Sequence, residues 1–213
     1  MGLTASLLSI FLGAFSFVCT VGAICTDCWQ VNSKGSVVLS MRCRGLWGEC
    51  VWDKFVKIWT CDVFSSYLNP HPGAIVIARA SLITSAIAGG AAFICLLSGC
   101  PYFRCFQEAT AKWRCLCLST GCYLFAGFLS CIGVIRYCLY VFFQHQYEVS
   151  LSIPGFPSFE YGYSLWMAVA GGLAAIAAAV TSYYEGVLLK TFSMSPAKEV
   201  PAGDAAGTTW TYV

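Results

Sequence analysis

The chain has 213 residues, of which 58% are hydrophobic and 10% are charged, against roughly 25% charged residues in a typical soluble domain. This composition excludes an ordinary cytosolic domain and favours a membrane protein. The net charge of +2 gives no indication of a nucleic-acid partner. Seven of the 14 cysteines lie in or beside apolar runs, where a cysteine behaves as a small buried hydrophobe rather than as part of a secreted disulfide scaffold.

Four apolar runs are each long enough to cross a membrane, because about 20 helical residues span roughly 30 Å of hydrocarbon. The first run lacks the basic start and the small-residue cleavage site of a signal peptide, so we predict that it is a span. The short loop after the second span is basic, which favours the cytoplasmic side. The first polar segment holds even more basic residues, so the charges alone do not fix the orientation. Four spans put both termini on one side of the membrane. The C-terminal tail and a cysteine pair in the first polar segment favour termini on the cytoplasmic side and that segment outside.

The predicted organisation is that of an α-helical membrane protein. The segments are a first span at 1–24, a first extracellular segment at 25–74, a second span at 75–97, a cytoplasmic loop at 98–114, a third span at 115–138, a second extracellular segment at 139–162, a fourth span at 163–186 and a cytoplasmic tail at 187–213.

The first extracellular segment has strand character. The β-prone runs 29–31 and 36–41 flank the Gly-containing stretch 32–35, which is typical of a hairpin. Residues 55–60 are rich in aromatic and β-branched side chains and predict another strand. A two-stranded ribbon alone is marginal in water, so more strands or packing on the helices are needed. The predicted fold class is a four-transmembrane-helix bundle with a small antiparallel extracellular β-sheet.

Cys50 and Cys61 lie among polar residues of this segment, away from any span. In an oxidising compartment such a pair closes a loop worth roughly 3 kcal/mol; two free thiols are the alternative. Trp29 and Trp47 are predicted to pack over that loop and to anchor the sheet at the membrane surface, where amphipathic aromatic side chains prefer to lie. Incidental interfacial tryptophans are the alternative.

Together these residues resemble the signature of the claudin family, in which a Trp is followed by Gly-Leu-Trp and then by two closely spaced Cys. Residues 26–29, 42–47 and 60–62 are most similar to the paracellin type of claudin, a subgroup associated with divalent-cation permeation. Arg79 falls where claudins carry an Arg at the outer end of the second span. The resemblance implies that Arg79 caps the extracellular sheet; simple snorkelling to the interface is the alternative. The signature residues are Trp29, Gly45, Leu46, Trp47, Cys50, Cys61 and Arg79.

The resemblance implies a tight-junction adhesion protein in the plasma membrane. Its copies would join themselves and other claudins, in cis and in trans, to line a paracellular barrier or an ion-selective pore, cation-selective by the subgroup. The alternative is a four-span auxiliary channel subunit of the gamma type, or a membrane organiser of the peripheral-myelin or lens-fibre type. No nucleophile–base pair, metal-ligand set or phosphate loop is evident in the sequence, so we expect neither an enzyme nor a cofactor or bound metal.

Two acidic residues of the first extracellular segment are candidates for ion selection. Asp62 directly follows Cys61, and Asp53 comes three residues after Cys50. The resemblance implies that both positions face the paracellular pore, where a carboxylate replaces part of a cation's hydration and repels anions. Lys54 and Lys57 would oppose this effect, and solvated surface charges are the alternative.

Cys25 and Cys28 form a C-x-x-C motif at the end of the first span. The motif does not lie at a helix start, where a thiol pKa is lowered, so a redox enzyme is not expected. A hairpin turn near residues 34–35 would place Cys28 and Cys43 nearly opposite each other, an arrangement that suits a disulfide. A second bridge, Cys28–Cys43, is therefore a candidate, and it departs from most claudins.

The second extracellular segment is rich in aromatic residues, which mark contact surfaces when they are exposed. The resemblance implies that its turn meets a partner across the cell gap; packing on the sheet is the alternative. The candidates for this trans contact are Phe156, Phe159 and Tyr161.

The cytoplasmic regions carry two further candidate sites. Cys100 and Cys105 in the short loop are juxtamembrane cysteines and candidates for palmitoylation, which would make membrane lipid a partner. Residues Thr211, Tyr212 and Val213 suit capture by a PDZ domain, which adds a tail as a strand and holds its terminal carboxylate. Cytoplasmic PDZ scaffold proteins are therefore predicted partners.

Overall fold

The computed structural model describes residues 2–32, 40–53, 56–63, 73–100, 109–150 and 159–194. Within these ranges the chain forms four long helices and one sheet of five short strands. The elements are α1 (Gly2–Cys25), β1 (Gln30–Asn32), β2 (Ser40–Arg44), β3 (Gly48–Asp53), β4 (Ile58–Val63), α2 (Gly73–Gly99), α3 (Ala109–Ser150), β5 (Phe159–Tyr161) and α4 (Tyr163–Met194).

All four helices are long and apolar enough to cross a membrane, with mean hydropathies of 1.8 to 2.2 over the best stretch. The spans lie at Thr4–Cys25, Gly73–Gly99, Thr110–Tyr147 and Tyr163–Thr191. Together with the antiparallel sheet, they confirm the predicted fold class.

The third helix is longer than its predicted span. It has 42 residues, about 63 Å at 1.5 Å per residue, so it extends well beyond roughly 30 Å of hydrocarbon. Its C-terminal part, 139–150, is helical where a loop was predicted. The physical reason is local, since neither Gly nor Pro occurs between Gly133 and Pro154 to end the helix.

The helices form a closed bundle in which α2 packs along α3, α1 along α4, and α3 along α4. Serine hydroxyls join neighbouring helices by donating to backbone carbonyls across each contact. Small residues and such hydrogen bonds stabilise helix pairs in lipid, where the hydrophobic effect between helices is absent. The donor–acceptor pairs are Ser16 Oγ to Gly171 O (2.8 Å), Ser85 Oγ to Ala126 O (2.7 Å), Ser119 Oγ to Ala92 O (2.9 Å) and Ser130 Oγ to Ala168 O (3.2 Å).

The sheet has the order β4-β3-β2-β1-β5, and all neighbouring strands are antiparallel. Because β5 immediately precedes α4 and pairs with β1, both predicted extracellular segments contribute to one sheet at one end of the bundle. The sequence did not predict β3 or β5, and the strand predicted at 36–41 is instead β2, which begins at Ser40. Residues 33–39, the predicted hairpin turn and most of that strand, lie outside the described residues.

The predicted register between β1 and β2 is wrong. Val31, not Cys28, lies opposite Cys43, and Gln30 lies opposite Arg44. Cys28 precedes β1 by two residues and is not part of it. Both Cys28 and Cys43 are free thiols in the structure.

Candidate functional site

The Gly-Leu-Trp motif is the turn that joins β2 to β3, and it points toward the helices. The Gly45 N–H donates to the Gly48 carbonyl at 2.9 Å and closes the turn. A Cβ at Gly45 would lie 2.5 Å from the Asp27 Cα, so only glycine fits against that backbone. The Leu46 side chain, which is fully buried, inserts into the core at the outer end of the bundle.

The two signature tryptophans cap the C-terminal end of α1. The last carbonyls of a helix have no partner within the helix and need one elsewhere. The Trp29 indole N–H donates to the Ala23 carbonyl at 2.8 Å, and the Trp47 indole N–H donates to the Ile24 carbonyl at 2.9 Å. The sheet is therefore fixed to the membrane bundle by directional bonds as well as by apolar contact.

Trp29 lies at the centre of the joint between the sheet and the bundle. Its side chain is fully buried, and its ring is 4.9 Å from that of Tyr137 on α3. The buried cluster around it draws residues from all four helices, namely Ala23, Ala78, Leu82, Tyr137, Val141, Leu165 and Ala168, and adds Leu46 from the turn.

Arg79 connects α2 to the same turn. Its Nε donates to the Leu46 carbonyl at 2.7 Å, and its guanidinium lies 5.0 Å from the centre of the Trp47 ring. A charged donor bonded to a carbonyl is stronger than a neutral one, and the stacked aromatic face adds a cation–π attraction. Arg79 therefore contacts the sheet, as the family resemblance implies, instead of extending freely to the interface.

The Cys50–Cys61 disulfide is present and confirms that prediction. It joins directly opposed residues of β3 and β4. Cys50 comes three residues after Trp47, on the strand that begins directly after the Gly-Leu-Trp motif, so the bridge holds β4 to that strand.

The structure separates the two predicted pore residues. The β2–β3 turn contacts α1, so β3 starts near the bundle and runs away from it, and β4 returns. Asp62 is therefore at the bundle end of the sheet, whereas Asp53 is at the distal end. The register places Glu49, which the sequence analysis did not single out, directly opposite Asp62. Only the strand pairing reveals that two acidic positions are adjacent there.

The remaining candidates are less completely described. The Tyr161 side chain is 45% exposed and is hydrogen-bonded to the Cys138 thiol of α3. Phe159 lies two residues earlier on β5. Phe156, Cys105 and the tail residues 211–213 lie outside the described residues.

Cys100 is a poor palmitoylation site in this structure. Its side chain is fully buried directly after α2, and burial raises the pKa of its thiol to about 11. Acylation needs an accessible thiolate, so the burial of Cys100 and the raised pKa of its thiol both oppose it. The prediction of palmitoylation therefore rests on Cys105.

Comparison with known proteins gives relatives over most of the chain. Claudin-16 of Homo sapiens is 35% identical over 167 residues, which cover 78% of this chain and 71% of the relative. Claudin-16 of Rattus norvegicus is 38% identical over 165 residues, covering 76% and 70% respectively. Claudin-14 of Mus musculus is 31% identical over 124 residues, covering 58% and 50%. No family model matches the chain.

Proposed function

Because the chain belongs to the claudin family, and is thus a tight-junction protein that forms a paracellular barrier or a cation pore, we propose that it favours cations through Asp62 and Glu49. The β3–β4 register supports this, since it places these two acidic residues directly opposite each other. A carboxylate beside a narrow aqueous passage attracts a cation and repels an anion.

The sheet also presents apolar surface for contact with further claudins. β4 is the last strand on one side of the described sheet, so its outer backbone groups are available for pairing. Ile58 and Trp59 on this strand are 57% and 48% exposed. Exposed apolar side chains at a sheet edge fit a side-by-side contact between copies in one membrane.

We expect Asp62→Asn to lower the Na⁺/Cl⁻ permeability ratio of an epithelial layer that expresses the chain. One unit charge at about 4 Å in water changes the free energy of a passing ion by roughly 1 kcal/mol, or about fivefold in its permeability, and the opposite effects on Na⁺ and Cl⁻ lower the ratio by at least that factor. Dilution potentials measure this ratio directly. Asp62→Glu keeps the charge and is the matched control, while Glu49→Gln is expected to lower the ratio as well. An unchanged ratio in Asp62→Asn, at equal junctional protein, would refute the role of this residue.

The proposal also includes a location and two kinds of partner. The plasma membrane is its location, cytoplasmic PDZ scaffolds are its partners through Thr211, Tyr212 and Val213, and membrane lipid is a partner through acylated Cys105. The location rests on the family, and the two partners rest on sequence motifs, whose residues lie outside the described ranges.

A further inference from the structure

Three cysteines lie in one cross-strand row of the sheet. The register pairs Cys43 of β2 with Cys50 of β3, and Cys50 with Cys61 of β4. Directly opposed residues of antiparallel strands lie on the same face, so the three side chains share a face. Cys50 and Cys61 are bridged, whereas Cys43 is a free thiol with 4% of its surface exposed. A free thiol thus lies beside a disulfide in a place that is closed to solvent.

A fourth cysteine contacts this thiol. The Cys28 and Cys43 thiols are hydrogen-bonded to each other, and the Tyr163 hydroxyl is hydrogen-bonded to Cys28. The Cys28 backbone is held as well, because its N–H donates to Ser164 Oγ at 3.3 Å and its carbonyl accepts from the Ser164 N–H at 3.2 Å. Cys28 is therefore fixed on the start of α4, with its sulfur against that of Cys43.

We propose that Cys28, Cys43, Cys50 and Cys61 form one disulfide-exchange row, in which a Cys28–Cys43 bridge protects the Cys50–Cys61 bridge. To form the new bridge, the two thiols give two electrons and two protons to glutathione disulfide or to the disulfide of a folding oxidoreductase, which becomes two thiols. The row then holds two closed bridges, and the base of β2 is covalently joined to the segment between α1 and β1.

Without Cys28, the Cys43 sulfur is free to attack Cys50. The Cys43–Cys50 bond forms, the Cys50–Cys61 bond breaks, and Cys61 leaves as a thiolate that takes a proton from water, so this exchange needs no oxidant. The two strand pairings place Cys43 and Cys61 on either side of Cys50, so this attack becomes possible once the three strands have paired. In the folded protein, burial and the Cys28 contact raise the pKa of Cys43 to about 12 and keep its thiol protonated. The exchange therefore belongs to folding, before Cys43 is buried.

The test is disulfide mapping of the full chain, expressed in mammalian cells, alkylated with N-ethylmaleimide in SDS at acidic pH so that buried thiols also react, and digested without reduction. In the unmodified chain we expect linked Cys28–Cys43 and Cys50–Cys61 peptides, with Cys25 alkylated. In Cys28→Ser, a Cys43–Cys50 peptide and alkylated Cys61 are expected to appear. In Cys28→Ser/Cys43→Ser, the Cys50–Cys61 bridge is expected to form alone. Cys25→Ser is the matched control and should leave the unmodified pattern intact.

Alkylation of both Cys28 and Cys43 in the unmodified chain would overturn the second bridge, and so would a Cys25–Cys28 peptide. A Cys28→Ser chain that holds only the Cys50–Cys61 bridge would overturn the exchange. The double variant separates these results from misfolding, because it keeps the family's Cys50–Cys61 bridge without a competing thiol in the row. None of these outcomes depends on whether the chain conducts cations.

Discussion

Trp29→Ala is expected to lower the free energy of unfolding by about 3–5 kcal/mol, the usual cost of removing a large buried aromatic side chain. The indole lies in a buried cluster that draws residues from every helix, so its loss leaves a cavity between the sheet and the bundle. It also leaves the Ala23 carbonyl without its hydrogen-bond donor at the end of α1. We therefore expect the variant to be retained inside the cell, with little of it at the surface.

Unfolding of the purified chain in mixed SDS micelles measures this loss, and surface biotinylation measures its cellular consequence. Trp166→Ala is the matched control, because that side chain is on α4 and 61% exposed. Trp29→Phe separates the two contributions: it keeps a ring but removes the N–H, and should cost about 1–2 kcal/mol. Equal stability of Trp29→Ala and Trp166→Ala would show that Trp29 does not hold the joint together.

Gly162→Ala is expected to have the next largest effect, about 3 kcal/mol, the upper end of the usual cost of overpacking. A Cβ at this position would collide with the Cys28 carbonyl oxygen, which is backbone and has little freedom to move. Two backbone hydrogen bonds join residues 162–164 to residues 28–29. The Gly162 N–H donates to Trp29 O at 2.9 Å, and the Ser164 N–H donates to Cys28 O at 3.2 Å. Displacing these strands would detach β5 from β1.

Gly121→Ala is the matched control for this substitution. It is an exposed glycine of α3, and a Cβ there meets nothing within 4 Å in the part of the chain that the structure describes. Alanine favours a helix over glycine by about 1 kcal/mol, so Gly121→Ala should be neutral or slightly stabilising in the same SDS titration. A Gly162→Ala variant as stable as this control would contradict the close approach of β5 to β1.

The sequence predicted four membrane spans because each of them contains an uninterrupted apolar run, the length of which is set by the bilayer. It also predicted the Cys50–Cys61 bridge, whose partners lie near each other in the chain. It did not predict β5, because Phe159–Tyr161 is too short to stand out and becomes a strand only by pairing with β1, far away in the sequence.

The hairpin register failed for the same reason. Local turn residues suggested folding about residues 34–35, but contacts distant in sequence hold β1. Trp29 is tied to the end of α1, Gly162 donates to its carbonyl, and the turn that follows β2 is pressed against Asp27. The capping role of the two indoles has no local signal, because it depends on how the sheet meets the bundle. The adjacency of Glu49 and Asp62 depends on the register between β3 and β4.

Freeze-fracture electron microscopy of fibroblasts that lack junctions, expressing this chain, tests most directly whether it is an assembling tight-junction protein. We expect the protein to gather at cell–cell contacts and to form continuous intramembrane strands there. The Trp29→Ala variant should form none, while Trp166→Ala should form them normally. Diffuse membrane staining without strands, at confirmed surface expression of the unmodified chain, would contradict assembly and favour an auxiliary-subunit or membrane-organiser role.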